Sequence, residues 1–337
     1  MNHRHRAIQL AHGSGGRLSH QLVDEVFRAR FDNELLRQGD DSAEFRIQNS
    51  EYRMAFTTDC YTVKPLFFAG GDIGRLAVCG TVNDLAMKGA RPLHLSAGFI
   101  IEEGFALADL ERIADSMAAA ARESEVAIVT GDTKVVERGA CDGLFVCTAG
   151  VGLVPAGAAV SGANARPGDI VLVSGPVGDH SLAVMNARHG FGLSGGLASD
   201  VAPLAGLVQA MLGAGGVRVL RDPTRGGLAT TLGEIAGQSG ASIEIDEAAV
   251  PVRPQVRGAC ELLGLDPLYC ANEGKLVAVA DPGAAGALLD AMRSHPSGRE
   301  AAVIGRVGAG AGVVLRTALG ARRPLLMLEG EALPRIC

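Results

Sequence analysis

Apolar residues recur with helical spacing at Leu18, Leu22, Val23, Val26 and Phe27, which predicts a helix over 17–29 behind the glycine-rich stretch 12–16. A strand over 53–58 ends at Asp59. Asp72 stands at the N-cap position of a largely apolar helix that runs to about residue 88, where Gly89 ends it. An apolar strand over 93–101, an amphipathic helix over 106–123, a short strand over 126–130 and a strand over 143–152 follow. The turn-rich stretch 161–169 marks a domain boundary. Beyond it the pattern predicts a strand at 170–173, helices near 179–189 and 200–213, and a helix opened by Arg221-Asp222-Pro223-Thr224-Arg225-Gly226-Gly227 and ending near 238. A strand at 241–245, a helix at 254–263 and a strand at 276–280 complete the clear periodicities. This is an α/β (α+β) chain in two units, 1–160 and 166–320, with a mobile tail over 321–337 that spans about 50 Å at full extension.

Composition narrows the function. With 47% hydrophobic residues, the 337-residue chain has ample material for cores. The 46 glycines imply many tight turns and close backbone approaches. A net charge of −6 and the absence of Trp argue against nucleic acid as a partner. The seven cysteines are odd in number and have no CxxC spacing, so a disulfide framework and a thiolate zinc site are both unexpected. Cys79 and Cys147 read as small core residues. The basic start at 2–6 lacks a following apolar core and does not read as a signal peptide, and Pro155 and several glycines break the uncharged run 143–165, so no membrane helix is expected. A reduced, cytoplasmic protein is the expectation.

Several short motifs carry candidate chemistry, each beside a plainer role. The loop His12-Gly13-Ser14-Gly15-Gly16 can present backbone N–H groups to an anion, or be a simple turn. Asp41 and Asp59 read as Mg²⁺ ligands or as turn residues. Asn83-Asp84 is a polar pair inside an apolar helix, where a carboxylate needs a partner or a metal. Gly131-Asp132-Thr133-Lys134 follows a strand, with Lys134 as a phosphate-binding point charge or a surface lysine. Asp222 reads as a metal ligand or helix cap, and Arg225 as a clamp on phosphate or carboxylate, near Thr224. Glu273, after Asn272, reads as a base or a turn residue. The chain ends in Pro334-Arg335-Ile336-Cys337, so its last residue is a thiol on an arm. By itself Cys337 is either a carrier of a bound group or an incidental terminal residue. In sum, carboxylates for a metal and cations with N–H groups for phosphates make a Mg²⁺–nucleotide site without a P-loop.

Taken together and in this order, these motifs resemble the HypE family of hydrogenase maturation factors along essentially the whole chain. The aspartate motifs alone are similar to the wider ATP-binding superfamily of aminoimidazole ribonucleotide synthetase, thiamine-monophosphate kinase and selenophosphate synthetase. The terminal Pro-Arg-Ile-Cys narrows that to HypE. The resemblance implies an N-terminal ATP-binding and dimerisation domain (1–160), a C-terminal α/β domain (166–320) and a homodimer. It implies an ATP-dependent carbamoyl dehydratase in which Cys337 is loaded by the carbamoyltransferase HypF, converted from S-carbamoyl to S-cyanate, and unloaded onto iron held by HypC–HypD for [NiFe] hydrogenase. By motif, Asp41, Asp59, Asp84 and Asp222 are expected at Mg²⁺, and Gly13, Ser14, Gly15, Gly16, Asn83, Gly131, Asp132, Thr133, Thr224, Arg225 and Asn272 at ATP. Cys337, Lys134, Glu273 (the elimination base) and Asp84 (its reserve) are expected to carry the chemistry, with Arg335 offsetting the terminal carboxylate. A carrier or scaffold without ATP chemistry, or a superfamily kinase or synthetase acting on a free small molecule, are the alternative readings.

Overall fold

The structure is a computed structural model that describes residues 8–13, 15–47, 53–193, 196–328, 330, 333 and 335–337. Ser14, Pro334 and the basic stretch 2–6 lie outside the described residues.

The predicted N-terminal helix is helical over a longer run than expected: α1 (Arg17–Leu22), a π-helical segment Val23–Arg28, and α2 (Ala29–Phe31). A five-stranded sheet follows. Its strands are β1 (Ala43–Arg46), β2 (Arg53–Tyr61), β5 (Arg91–Glu102), β6 (Ala127–Val136) and β7 (Leu144–Val154), in the order β1-β2-β7-β5-β6, with β5 and β6 parallel and the other pairs antiparallel. The small ribbon of β3 (Phe67–Phe68) and β4 (Gly71–Asp72) leads into α3 (Ile73–Met87). As the N-cap chemistry predicts, Asp72 Oδ1 accepts the N–H groups of Gly74 at 2.7 Å and Arg75 at 3.0 Å.

Every side chain of α3 except Arg75 and Asp84 is buried. A helix apolar on all sides must be enclosed on all sides. Here β2 and β7 and the helix α4 (Leu107–Glu123) cover α3 from one side, and the C-terminal half covers it from the other. Thus Asp84 is the one carboxylate that α3 carries into the interior.

The C-terminal half contains β8 (Ile170–Val173), α5 (Asp179–His189), α6 (Ala205–Ala214), β9 (Val217–Arg221), α7 (Gly227–Ser239), β10 (Ser242–Asp246), α8 (Pro254–Leu263), β11 (Val277–Ala280), α9 (Ala285–Ser294), β12 (Ala302–Gly308), β13 (Gly312–Arg316) and β14 (Arg322–Pro324). Its seven strands run β14-β13-β10-β12-β8-β11-β9. Alternation along β8 and β11 sends Val171, Val173, Val277 and Val279 to the core under α7, and Leu172, Ala278 and Ala280 to the core under α6 and α9. Two-sided burial explains why these strands read as unbroken apolar runs.

Three sequence expectations change. The strand predicted to end at residue 130 continues through Gly131–Lys134 to Val136, because parallel pairing with β5 keeps the backbone extended. The helix predicted from residue 200 starts at Ala205, and the preceding residues form an irregular connector. Cys147 is exposed rather than buried: strand alternation puts it on the face of the first sheet that lacks helices, opposite Cys60, with the sulfurs 3.5 Å apart.

Candidate active site

The alternation of β2 buries Thr57 and leads its C-terminal end, with Asp59 and Tyr61, toward α3. Thr57 Oγ1 donates to Asp84 Oδ2 at 2.7 Å, and Tyr61 donates to Asp59 Oδ2 at 3.1 Å. The turn ahead of β1 supplies two consecutive aspartates that meet different cations: Asp40 pairs with Lys88 at 2.8 Å, and Asp41 with Arg221 at 2.7 Å. Arg221 ends β9 and also donates to the Gly39 carbonyl at 2.6 Å, so the C-terminal half grips the N-terminal turn. Asp222 follows directly and is buried.

These carboxylates share one electrostatic environment. Burial pushes Asp41 up to about 6, against the opposing charge of Arg221. Asp84 is driven well above the ordinary range by burial and then by Asp59, Asp222 and Asp41. Asp222 is raised well above it by burial, Asp41 and Asp59, and Asp59 is raised by burial. Mutual repulsion in a dry site favours protonation or a bound cation. The donor set is hard carboxylate oxygen, which suits Mg²⁺. Among the described residues, no three His, Cys, Asp or Glu side chains stand together as a ready-made metal site. The four aspartates are gathered in one field without closing on a common point.

Glu273 is buried, and its Oε1 has no hydrogen-bond partner. Burial, and then the charges of Asp222, Asp200 and Asp59, raise its carboxyl well above the ordinary range, while Arg225 opposes the rise. Its backbone is held firmly: the Glu273 N–H donates to Asp200 Oδ1 at 3.1 Å and the Gly274 N–H to Oδ2 at 3.3 Å. Lys275 Nζ sits 3.1 Å from the same Asp200 Oδ2. Asn83 donates to the Glu273 carbonyl at 3.3 Å and to Ala202 at 3.1 Å, and accepts from Leu204 at 2.8 Å.

The glycine-rich loop forms one wall of a cavity of about 380 Å³, which Asp41, Arg221, Asp222, Thr224 and Arg225 also line. Gly15 has φ +75°, and a Cβ there would lie 3.0 Å from Cβ and 3.1 Å from the carbonyl oxygen of Arg225. Only glycine lets this loop close so near the 222–227 turn. Gly13, Gly15, Thr224, Arg225 and the aspartates Asp41 and Asp222 are therefore brought to one cavity from distant parts of the chain, and Gly16 lies beside Arg225 in an adjoining cleft.

The remaining expected residues stand elsewhere. Asn83 and Asn272, read as nucleotide contacts, are interior braces: Asn272 accepts from Gly178 at 2.7 Å and donates to Pro223 at 2.9 Å and Cys270 at 3.0 Å. Their amides are consumed by backbone groups, which leaves little for a ligand. Gly131, Asp132, Thr133 and Lys134 lie on the exposed edge strand β6, and Lys134 pairs with Asp132 at 2.6 Å. Gly131 is required by packing, since a Cβ there would stand 2.2 Å from the Ala97 carbonyl.

The tip of the tail is docked. Thr62 N–H donates to the Cys337 carboxyl oxygen at 3.1 Å, and Lys64 N–H to the Arg335 carbonyl at 3.3 Å. Arg188 Nη2 donates to the same Arg335 carbonyl at 2.6 Å, and Ile336 is buried. Arg335 has φ +51°, a left-handed conformation that costs about 1–2 kcal/mol for a residue with a Cβ and is held by these contacts. The Arg335 guanidinium turns away to Asp142, at 2.5 Å, and to the Thr62 carbonyl, at 2.8 Å. The charge of Cys337 bears instead on Arg225, whose pKa it raises ahead of all other causes, with Asp59 and Glu273 contributing as well. One guanidinium thus lies in the field of both the chain terminus and the buried carboxylates. Sequence reasoning missed Arg221, Asp200, His180 and Arg188. Arg221 opens the 221–227 motif without a role of its own there, and each of the four acts on a partner far along the chain.

Comparison with known proteins defines the class first. Residues 39–154 match the N-terminal domain of AIR synthase related proteins, and residues 166–317 match their C-terminal domain. The fold is also that of thiamine monophosphate kinase from Aquifex aeolicus (TM-score 0.65, 17% identity, covering 91% of this chain and 99% of that one). Within that class the likeness to one group is far stronger. Carbamoyl dehydratase HypE of Cupriavidus necator is 58% identical over 98% of this chain and 95% of its own length, and that of Escherichia coli is 49% identical over 98% and 99%. Among solved structures, the HypE–HypF complex superposes with TM-score 0.87 at 50% identity, covering 91% of this chain and 99% of the other. HypE in complex with ATP gives 0.83 at 51% identity, covering 98% and 100%. The chain belongs to the carbamoyl dehydratase HypE family.

Proposed function

We propose that this chain uses ATP to dehydrate a carbamoyl group carried on its own Cys337, giving the S-cyanate that supplies a cyanide ligand for [NiFe] hydrogenase assembly. The observation that carries this reading is the docked terminus: the Thr62 N–H holds the Cys337 carboxyl oxygen at 3.1 Å and Ile336 is buried, while the charge of Cys337 bears on Arg225, which also lies in the field of Asp59 and Glu273. A thiol that only ferried a group would need no seat beside buried acids. ATP use is supported by the solved complex of a close relative with ATP, and a HypF partner by the HypE–HypF complex.

The chemistry follows from the groups present. An amide oxygen leaves poorly, so the carbamoyl oxygen first takes the terminal phosphoryl group of ATP, releasing ADP. The two protons on nitrogen are then removed and phosphate departs, leaving sulfur bonded to a C≡N carbon. Glu273 is our assignment for the base. Its raised affinity for a proton makes it a strong base once a cation nearby favours ionisation. Asp41, Asp59, Asp84 and Asp222 would hold Mg²⁺, which when bound supplies charge neutralisation at the phosphates. Gly13, Gly15 and Gly16, with Thr224 and Arg225, would face the nucleotide.

Lys134 fits this scheme through a second copy of the chain. The helix-free face of the first sheet exposes Phe56 and Ile100, and register places Lys134 beside Ile100 on that face. A homodimer burying that apolar face would bring Lys134 of one copy toward the other copy's site, where it would meet phosphate. Release of the cyano group to HypC–HypD completes the reading. It is tested by intact-mass measurement of the chain after incubation with HypF, carbamoyl phosphate and ATP. A carbamoyl adduct on Cys337 that loses water only with ATP is the expected result, and an adduct that persists with ATP overturns the reading.

A further inference from the structure

We propose that His180 is a positioning residue for the reaction at Cys337, gripping the tail through the Ile336 carbonyl, and that Ser199 sets the tautomer that allows the grip. This rests on the function proposed above.

His180 lies in α5, fully buried, with its ring edge-on to Phe68 at 5.5 Å between centroids. Its Nε2 is 2.8 Å from the Ile336 carbonyl oxygen, and its Nδ1 is 2.8 Å from Ser199 Oγ. A carbonyl only accepts, so the proton of the neutral ring must be on Nε2. Nδ1 is then an acceptor, and Ser199 donates its hydroxyl proton to it. That leaves Ser199 Oγ to accept the Val201 N–H at 3.1 Å. Each donor and acceptor in this relay has one role, and the Ser199 backbone is itself tied by its N–H to the Ala69 carbonyl at 2.7 Å. Burial favours the neutral ring.

The gripped carbonyl belongs to the peptide unit that carries the Cys337 N–H. Because that unit is planar, fixing its oxygen fixes the direction in which Cys337 leaves the chain. The next residue after Ser199 is Asp200, which holds the backbone N–H groups of Glu273 and Gly274. One dipeptide therefore sets the place of both the thiol bearing the substrate and the carboxyl assigned as base. Misplacement of reacting groups by an ångström costs rate more than binding.

The test compares His180→Phe, which keeps a ring and loses both hydrogen bonds, with His180→Gln, whose amide N–H replaces the Nε2 donor, and with Ser199→Ala. One readout is the alkylation rate of Cys337 by iodoacetamide, followed by peptide mass spectrometry without nucleotide. The other is ATP-driven water loss from the carbamoyl adduct after loading by HypF. His180→Phe is expected to alkylate several-fold faster and to lose water roughly 10- to 100-fold more slowly at saturating ATP, with unchanged KM for ATP. His180→Gln should stay near wild type in both, and Ser199→Ala should fall between. The proposal is overturned if His180→Phe matches wild type in both readouts, or if His180→Gln is as impaired as His180→Phe, which would reduce the residue to packing. Should His180→Phe fail to fold, wild-type behaviour of Ser199→Ala in both assays overturns it equally. Failure of the dehydratase reading itself would appear separately, as a wild-type adduct inert to ATP, while the alkylation readout still reports the grip.

Discussion

Arg221 Nη1 lies 2.7 Å from Asp41 Oδ1, and through this pair the C-terminal half of the chain reaches into the N-terminal half at the edge of the acidic site. Both side chains are largely withdrawn from water, so the pair cannot be opened cheaply. Arg221→Met is expected to lower stability by about 3–5 kcal/mol, because it strands Asp41 in a dry site. Arg221→Lys should lose less, since it keeps the charge but not the second contact to the Gly39 carbonyl. Denaturant midpoints of the two variants check this. Equal, small losses would show that Asp41 is accommodated without its partner.

Glu273→Gln should separate loading from dehydration. The substitution keeps size and removes the base, so HypF-dependent carbamoylation of Cys337 should be retained while water loss falls by about 10²- to 10⁴-fold. Mass spectrometry of the adduct over time provides the measurement. Turnover at the wild-type rate would move the role of base to Asp84.

Lys134→Ala should leave stability within about 0.5 kcal/mol, because the side chain is exposed and pairs along its own strand with Asp132. It should still load the carbamoyl group and fail to lose water. Mixed dimers of a Lys134→Ala subunit with a Glu273→Gln subunit distinguish the two geometries. Recovered activity means that Lys134 serves the other copy's site, and no recovery means that it serves its own.

The buried acids also predict how stability depends on pH. Their folded-state pKa values are raised, so the folded chain holds protons that the unfolded chain has released. Stability should then fall as pH rises from the ordinary carboxyl value near 4 through about 6 for Asp41, and further for Asp84, Asp222 and Glu273. Melting temperature without divalent cation, recorded from pH 5 to 8, should drop more steeply for wild type than for Asp84→Asn. Added Mg²⁺ should recover most of the loss at the alkaline end, and a flat wild-type profile would contradict the shared field.

Much of the local architecture was legible because its causes are local. The Asp72 cap and the Gly89 stop define α3 within about a residue, and the alternation along β2 puts Thr57 and Asp59 together on its inward face. Glu273 and Arg225 were visible as polar residues in glycine-rich turns. Long-range partners were not legible. Arg221 meets Asp41 across 180 positions, His180 meets Ile336 across 156, and Asp200 meets Glu273 across 73. No periodicity links such residues.

By itself, then, the sequence determined the elements, the two halves, the acids and the terminal thiol, since helix and strand periods, caps and turns act over a few residues. Tertiary structure alone decided that Asn83 and Asn272 brace backbone groups, that Gly131–Lys134 is an edge strand, and that the Arg335 guanidinium turns to Asp142. Those outcomes depend on burial and on which donors and acceptors remain unpaired once the halves meet, and both are properties of the packed interior.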